Sequence, residues 1–272
     1  MRDTHVRLAH GNGGRLMREL IEQMFACHLG NPLLDVGADA ATLPAMTGEL
    51  LVTTDGFTVK PLEFPGGNIG SLAVHGTVND LAVSGAKPLY LTLSAFIEEG
   101  FEFAQLERVV AAVARAARES GVAVVAGDTK VLPRGEGGGI YLATTGVGVR
   151  ASAGRLGLDR IQAGDLVLVS GPVGDHGTAV MLAREQFGLR GDLQSDAASV
   201  LPFAQAIWSF PGVRFMRDPT RGGVATVAHE IARGAGLNVR LRGASIPVRP
   251  PVSTVCEMLG YDPLYRACEG RF

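Results

Sequence analysis

Four aspartates stand beside small residues in positions suited to chemistry: Asp39 in GADAA, Asp55 in TTDGF, Asp80 in TVNDLA and Asp128 in AGDTK. Carboxylates converging on one place repel one another unless a cation sits among them, and Mg2+ takes carboxylate oxygens together with nucleotide phosphates. Taken singly, each reads equally well as a helix cap or a turn residue. The set of four points to a Mg-nucleotide site. Asp80 is the sharpest case, because it follows Val78 and Asn79 and precedes Leu81 inside an otherwise apolar helical stretch, where burial without a partner is costly. Lys130 follows Asp128 and Thr129 after the apolar run VAVVAG, where it suits a phosphate as a point charge or, equally, a solvated loop. The P-loop spacing is absent throughout, so a nucleotide here needs another architecture.

A second group lies in RDPTRGGVA. Arg217 and Arg221 flank Pro219, and Gly222-Gly223 precede a helical pattern whose first free N–H groups favour an anion; a helix start capped by Thr220 accounts for the same residues. The glycine-rich HGNGG and FPGGNIG offer backbone N–H groups less specifically. His75 has no second histidine at helical spacing and reads as packed, while His176 in GDHGTA falls at a helix start. Cys27 and Cys256 lie on apolar helix faces and read as core, and Cys268 adjoins a Glu-Gly turn without a base.

The elements that must position these residues alternate in type. Helical spacing from Leu16 to Met24 follows HGNGG; a strand at Glu49–Thr54 runs into Asp55-Gly56; a helix at Ser71–Ser84 carries Asp80. A strand at Leu89–Phe96, an amphipathic helix at Phe103–Glu119 and strands at Val122–Ala126 and Ile140–Val149 complete the first half. The pattern lapses into polar turns around Ala151–Gly164, which sets domains at 1–150 and 151–272. The second half reads as strands at Leu166–Ser170, Val213–Met216, Asn238–Leu241 and Leu264–Phe272, with helices at Gly177–Phe187, Ala198–Trp208, Gly223–Ala232 and Val252–Leu259.

Composition narrows the function classes. With 272 residues, 46% of them hydrophobic, the chain can bury an ordinary core. The 25 Lys+Arg against 27 Asp+Glu leave no basic excess for nucleic acid. No apolar run approaches a membrane span and the three cysteines are too few for a disulfide framework, so the expected setting is the cytoplasm.

Read in order, LAHGNGG, FPGGNIG, GTVNDLAVSGAKP, VVAGDTKV, VSGPVGDHG, RDPTRGGVA and EGRF resemble the HypE family over the whole chain. That family belongs to the superfamily of aminoimidazole ribonucleotide synthetase, selenophosphate synthetase and thiamine-monophosphate kinase. The resemblance implies a mixed α+β (α/β) two-domain PurM-like fold, with N-terminal domains pairing as a dimeric β-barrel, and ATP and Mg2+ as ligands. It implies dehydration of a cysteine S-carboxamide to a thiocyanate, which supplies the cyanide ligand for [NiFe]-hydrogenase maturation. It implies a homodimer and, as partners, the carbamoyltransferase HypF and the HypC–HypD iron carrier. It assigns metal binding to Asp39, Asp55, Asp80 and Asp128. Nucleotide binding falls to these with Asn79, Thr129, Lys130, Arg221 and Gly222, and catalysis to Lys130 and to Glu269 as proton acceptor. Two departures stand out. Ala38 occupies a position where the superfamily often has a second aspartate. The chain stops at Phe272, before the family's C-terminal acceptor cysteine, so the C-terminal domain is expected to be incomplete, with exposed apolar surface and strand edges. The alternative reading is a nucleotide-binding scaffold for maturation factors without catalysis.

Overall fold

The computed structural model describes residues 3–151, 155–184 and 192–272. The chain divides into two compact units, Met1–Leu62 with Asn68–Leu81 and Lys87–Arg150, and Glu63–Gly67 with Ala82–Ala86 and Ala151–Phe272.

In the first unit, α1 (Gly14–Leu20) starts from Gly13 and Gly14, both at positive φ, a backbone state that glycine adopts without strain. It continues without a break into a π-helical turn, Ile21–Ala26, and ends as α2 (Cys27–Leu29). The buried residues of this run, Leu20, Met24 and Leu29, are spaced by four and then by five, the step the π turn absorbs. Strand β1 (Leu50–Phe57) precedes α3 (Ile69–Val83); between them lies the short ribbon of β2 (Glu63–Phe64), which counts with the second unit, and β3 (Gly67–Asn68). Then come β4 (Ala86–Glu98), α4 (Phe103–Glu119), β5 (Ala123–Leu132) and β6 (Ile140–Arg150). Four strands make one sheet in the order β1-β6-β4-β5, with β1 and β6 antiparallel and β4 and β5 parallel across the α4 crossover.

Helices α3 and α4 cover one face of this sheet and touch through glycine. A Cβ on Gly70 would stand 2.2 Å from Val109 O, and one on Gly146 would stand 2.6 Å from Thr77 Cγ2. Thr144 Oγ1 also donates to Ala73 O at 3.2 Å, tying β6 to α3.

Two strands run further than the sequence suggests. Asp55 and Gly56 are not past the end of β1 but inside it, paired with Thr144 and Ala143 of β6. The motif GDTK does not form a loop after β5 but lies within it, with Asp128 opposite Ser94 and Lys130 opposite Phe96. In both cases a glycine next to an aspartate looks like a turn locally, and the neighbouring strand supplies the ladder that overrides it. Gly127 is needed there because a Cβ would stand 2.4 Å from Leu93 O.

The second unit holds α5 (Asp175–Ala183), α6 (Leu201–Ile207), α7 (Gly223–Ala235) and α8 (Pro250–Leu259). Residues 185–187 of the helix expected at Gly177–Phe187 lie outside the described residues. The strands expected at Leu166–Ser170, Val213–Met216, Asn238–Leu241 and Leu264–Phe272 are not formed among the described residues. These segments make isolated backbone bonds instead, such as Ser170 N to Phe272 O at 3.0 Å and Gly157 N to Arg214 O at 3.0 Å. Strand propensity becomes a strand only when a partner completes the ladder, and here Leu166 and Leu168 remain 87% and 83% exposed. Around Leu264, Asp262 Oδ1 accepts from Leu264 N at 2.8 Å and favours a 3-10 turn, Pro263–Tyr265. The core forms two clusters, Ala179, Leu193, Val252 and Cys256 in one and Val173, Val224 and Cys268 in the other. Cys256 is buried as expected, whereas Cys27 is exposed on α2, a correction to its reading as core, because the π turn rotates that face outward. No helix is long and apolar enough to cross a membrane among the described residues.

Candidate functional site

The acidic residues of the first unit fall into two pairs. On β1, Thr53 and Asp55 point to the face that α3 covers. Thr53 Oγ1 donates to Asp80 Oδ2 at 2.8 Å, and Asp55 Oδ2 lies 3.8 Å from the point where a Cβ on Gly76 would stand. Gly76 and Asp80 are one helical turn apart, so both carboxylates share the α3–β1 seam. The half-buried Asp80 thus has the partner its apolar helix demands, and the neighbouring Asn79 is 1% exposed.

Asp39 and Asp128 form the other pair. Both line a cavity of about 160 Å³ walled by Ile21, Phe25, Leu29, Val124 and Thr129 among others. Lys130 Nζ reaches Asp128 at 3.0 Å from Oδ2 and 3.2 Å from Oδ1, and Thr129 N donates to Asp128 Oδ1 at 2.8 Å. Lys130 and Asp128 are both exposed on β5.

Strands β1 and β5 are opposite edges of the sheet. Three strand spacings separate them, about 14 Å at about 4.8 Å each. Among the described residues no three of His, Cys, Asp or Glu gather closely enough to hold a metal ion. Among the described residues the four aspartates lie as two pairs. Either pair suits Mg2+, which is held by one or two carboxylates and completes its sphere with water and phosphate oxygens.

In the second unit the loop before α7 meets the turn after the Pro263–Tyr265 segment. Cys268 N donates to Pro219 O at 3.0 Å, and a Cβ on Gly223 would stand 2.4 Å from Leu264 O. This brings exposed Arg221 and half-buried Gly222, the latter at φ 74° as cap of α7, beside the strip that carries Glu269. Arg217 is drawn off to Glu230, Nη2 to Oε2 at 3.3 Å.

Sequence reasoning missed the acidic residues beneath that strip. Asp175 and Asp196 each expose 1% of their side chains. Arg249 Nε lies 2.9 Å from Asp175 Oδ2, and Asp196 Oδ1 accepts from Glu269 N at 3.2 Å. Burial raises the pKa of both carboxyls above the usual range, with Arg249 and Arg271 pulling back. The glycine-flanked GDHG was the available signal for Asp175; QSDAAS carries none for Asp196. His176 is buried, with Nδ1 2.8 Å from Ser195 Oγ and Phe64 edge-on at 5.4 Å, and burial brings it down to about 4. Cys268 Sγ accepts from Gly174 N at 3.1 Å, and burial pushes the thiol up to about 12, which removes it as a nucleophile at neutral pH.

A helix-covered sheet with aspartates along its strands, followed by a unit whose glycine-rich helix start faces a Glu-Gly-Arg turn, defines a two-domain α+β protein of PurM-like fold. Residues 37–150 match the N-terminal domain, and residues 162–272 the C-terminal domain, of the AIR synthase related proteins. Within that class the chain belongs to the HypE family, the carbamoyl dehydratases of hydrogenase maturation. It is 46% identical to the carbamoyl dehydratase HypE of Azotobacter vinelandii, covering 100% of this chain and 80% of that one. The crystal structure of hydrogenase maturation protein HypE in complex with ATP superposes with a TM-score of 0.93 at 43% identity, over 97% of this chain and 79% of that chain. HypE in a HypE–HypF complex superposes with a TM-score of 0.79 at 43% identity, over 93% and 82%. The chain thus spans about four-fifths of the length of these relatives.

Proposed function

We propose that this chain performs ATP-dependent dehydration of an S-carboxamide on a C-terminal cysteine to a thiocyanate, the cyanide source for the iron of [NiFe]-hydrogenase. The observation that carries this reading is the likeness, over 97% of this chain, to a HypE solved in complex with ATP. The amide oxygen attacks the γ-phosphorus of ATP, ADP leaves, and one N–H proton passes to solvent. The C–O bond then breaks with phosphate as leaving group while the remaining N–H proton passes to a base. Hydroxide would be a far poorer leaving group, so the phosphorylation supplies the driving force.

In this reading Asp55 with Asp80 and Asp39 with Asp128 would hold Mg2+ as two separate pairs, each ion neutralising phosphate charge. Asn79, Thr129, Lys130, Arg221 and Gly222 hold the nucleotide. Lys130, tethered to Asp128, offsets charge on the transferred phosphoryl group, and Glu269 takes the amide proton. The chain acts in the cytoplasm as a homodimer whose first units share a β-barrel. It receives its carbamoyl group from HypF, as the relative's complex suggests, and passes cyanide to HypC–HypD.

The test supplies Mg-ATP and a peptide ending in an S-carbamoylated cysteine whose amide oxygen carries a heavy isotope. Label in the released phosphate, with loss of one water mass from the peptide, is the expected result. ATP binding without turnover would instead support the scaffold reading.

A further inference from the structure

Asp196 carries a carboxylate where charge is costly. Its side chain is 1% exposed; Oδ1 accepts from Glu269 N–H at 3.2 Å, the backbone N–H groups of Gly270 and of Asp196 itself also turn to the carboxylate, and Oδ2 has no hydrogen-bond partner among the described residues. The nearest cation, Arg271 Nε, stands 3.7 Å from Oδ2 and is itself bonded to Pro172 O at 3.1 Å. What this costly buried charge gathers is the backbone of one turn, since the Glu269 and Gly270 N–H groups both face it.

These bonds fall on a turn held from every other side. Gly270 admits no side chain, since a Cβ would stand 1.9 Å from Asp196 O and 3.2 Å from Ala198 N. Arg271 Nη1 closes back on Gly270 O at 2.7 Å. Upstream, Cys268 is fixed by Pro219 O at its N–H and by Gly174 N at its sulfur. Residue 196 thus holds Glu269 and Gly270 at their N–H groups through its carboxylate, while its carbonyl packs against the Gly270 backbone.

We infer that Asp196 is a positioning residue for the dehydration: by holding the Glu269 N–H and the Gly270 backbone it sets where the Glu269 carboxylate reaches. The inference rests on the reading of Glu269 as proton acceptor. A misplacement of about 1 Å in such a group costs about a hundredfold in rate.

The experiment measures kcat and the KM for ATP, with the S-carbamoyl peptide, for the wild type, Glu269→Gln, Asp196→Ala, Asp196→Asn and the double variant Asp196→Ala/Glu269→Gln. Glu269→Gln and Asp196→Ala each lower kcat by about a hundredfold and leave KM within about twofold. Asp196→Asn, whose amide oxygen still accepts from Glu269 N–H, returns kcat to within about fivefold of the wild type. The double variant is no slower than either single one, because both act on one group. Should Asp196→Ala not fold, Asp196→Ser, whose hydroxyl is too short to reach Glu269 N–H, takes its place with the same expectation. An unchanged kcat in Glu269→Gln, or a wild type without turnover, removes the reading of Glu269 and this inference with it. A crippled Glu269→Gln beside a fully active Asp196→Ala, losses that multiply in the double variant, or a folded Asp196→Asn as slow as Glu269→Gln overturns the role of Asp196 alone.

Discussion

His176 illustrates how a single buried side chain sets the response of its unit to acid. Burial lowers its pKa from the ordinary 6.5 to about 4, so the folded unit holds it neutral while the unfolded chain accepts a proton near 6.5. Its contribution to stability is therefore complete above 6.5 and is lost as pH falls from 6.5 through about 4, in total about 3 kcal/mol. Buried His75, also lowered by burial, acts in the same direction in the first unit. Asp175 and Asp196 act oppositely: with raised carboxyl pKa values, the folded state gains as they take protons at the acid end. The melting temperature should thus fall between pH 6.5 and 4, and His176→Asn should flatten that fall; an unchanged slope would show that the imidazole is not the group responsible. The four aspartates beside small residues were legible in the sequence because small neighbours and an interrupted apolar pattern mark them. Their division into pairs was not, since it follows from which strand neighbours which.

At the scale of elements, the contact of α3 with α4 depends on a missing methyl group. A Cβ on Gly70 would stand 2.2 Å from Val109 O, a backbone atom that cannot turn aside. Gly70→Ala should destabilise the protein by about 1–3 kcal/mol as overpacking, although alanine favours helices. A lower urea midpoint at unchanged slope would confirm it, and an unchanged midpoint would mean that the helices separate freely. Helix α4 could be read from sequence to the residue, because Leu106, Val109, Val110, Val113 and Ala117 keep helical spacing on one buried face. The ends of β1 and β5 could not, since Asp55-Gly56 and Gly127-Asp128 carry local turn signals that a neighbouring strand overrides. The second half misleads for the converse reason: apolar segments such as Leu166–Ser170 carry strand propensity but find no ladder among the described residues.

For the molecule as a whole, the uncovered face of the first unit's sheet is the feature to explain. Leu50 and Val52 on β1 are 51% and 66% exposed, and Val52 faces Val147 across the antiparallel pair. A second copy laid on this face, as the proposed barrel requires, would bury both. Val52→Glu should then shift the sedimenting species from dimer to monomer while leaving the melting temperature of the monomer nearly unchanged. A wild type already monomeric at micromolar concentration would remove the barrel from the reading. The composition changes near residue 151, and the last segment of the first unit ends at Arg150. The excursions of Glu63–Gly67 and Ala82–Ala86 into the second unit were not legible, because short segments packed far from their sequence neighbours leave no local trace.

The π turn at Ile21–Ala26 also bears on how this lineage tolerates length change. A π turn is what one extra residue makes of an α-helix, so the run from Gly14 to Leu29 can be viewed as a helix that absorbed an insertion without breaking. Deleting one residue there would restore uniform α-geometry and leave the downstream face where it is, because the π turn already takes up the rotation of the extra residue. Leu29 would then follow Met24 by four residues and keep its place in the wall of the cavity that Asp39 and Asp128 line. A deletion in the uniform α-helical part, Gly14–Leu20, would instead turn the segment by about 100° and change that wall.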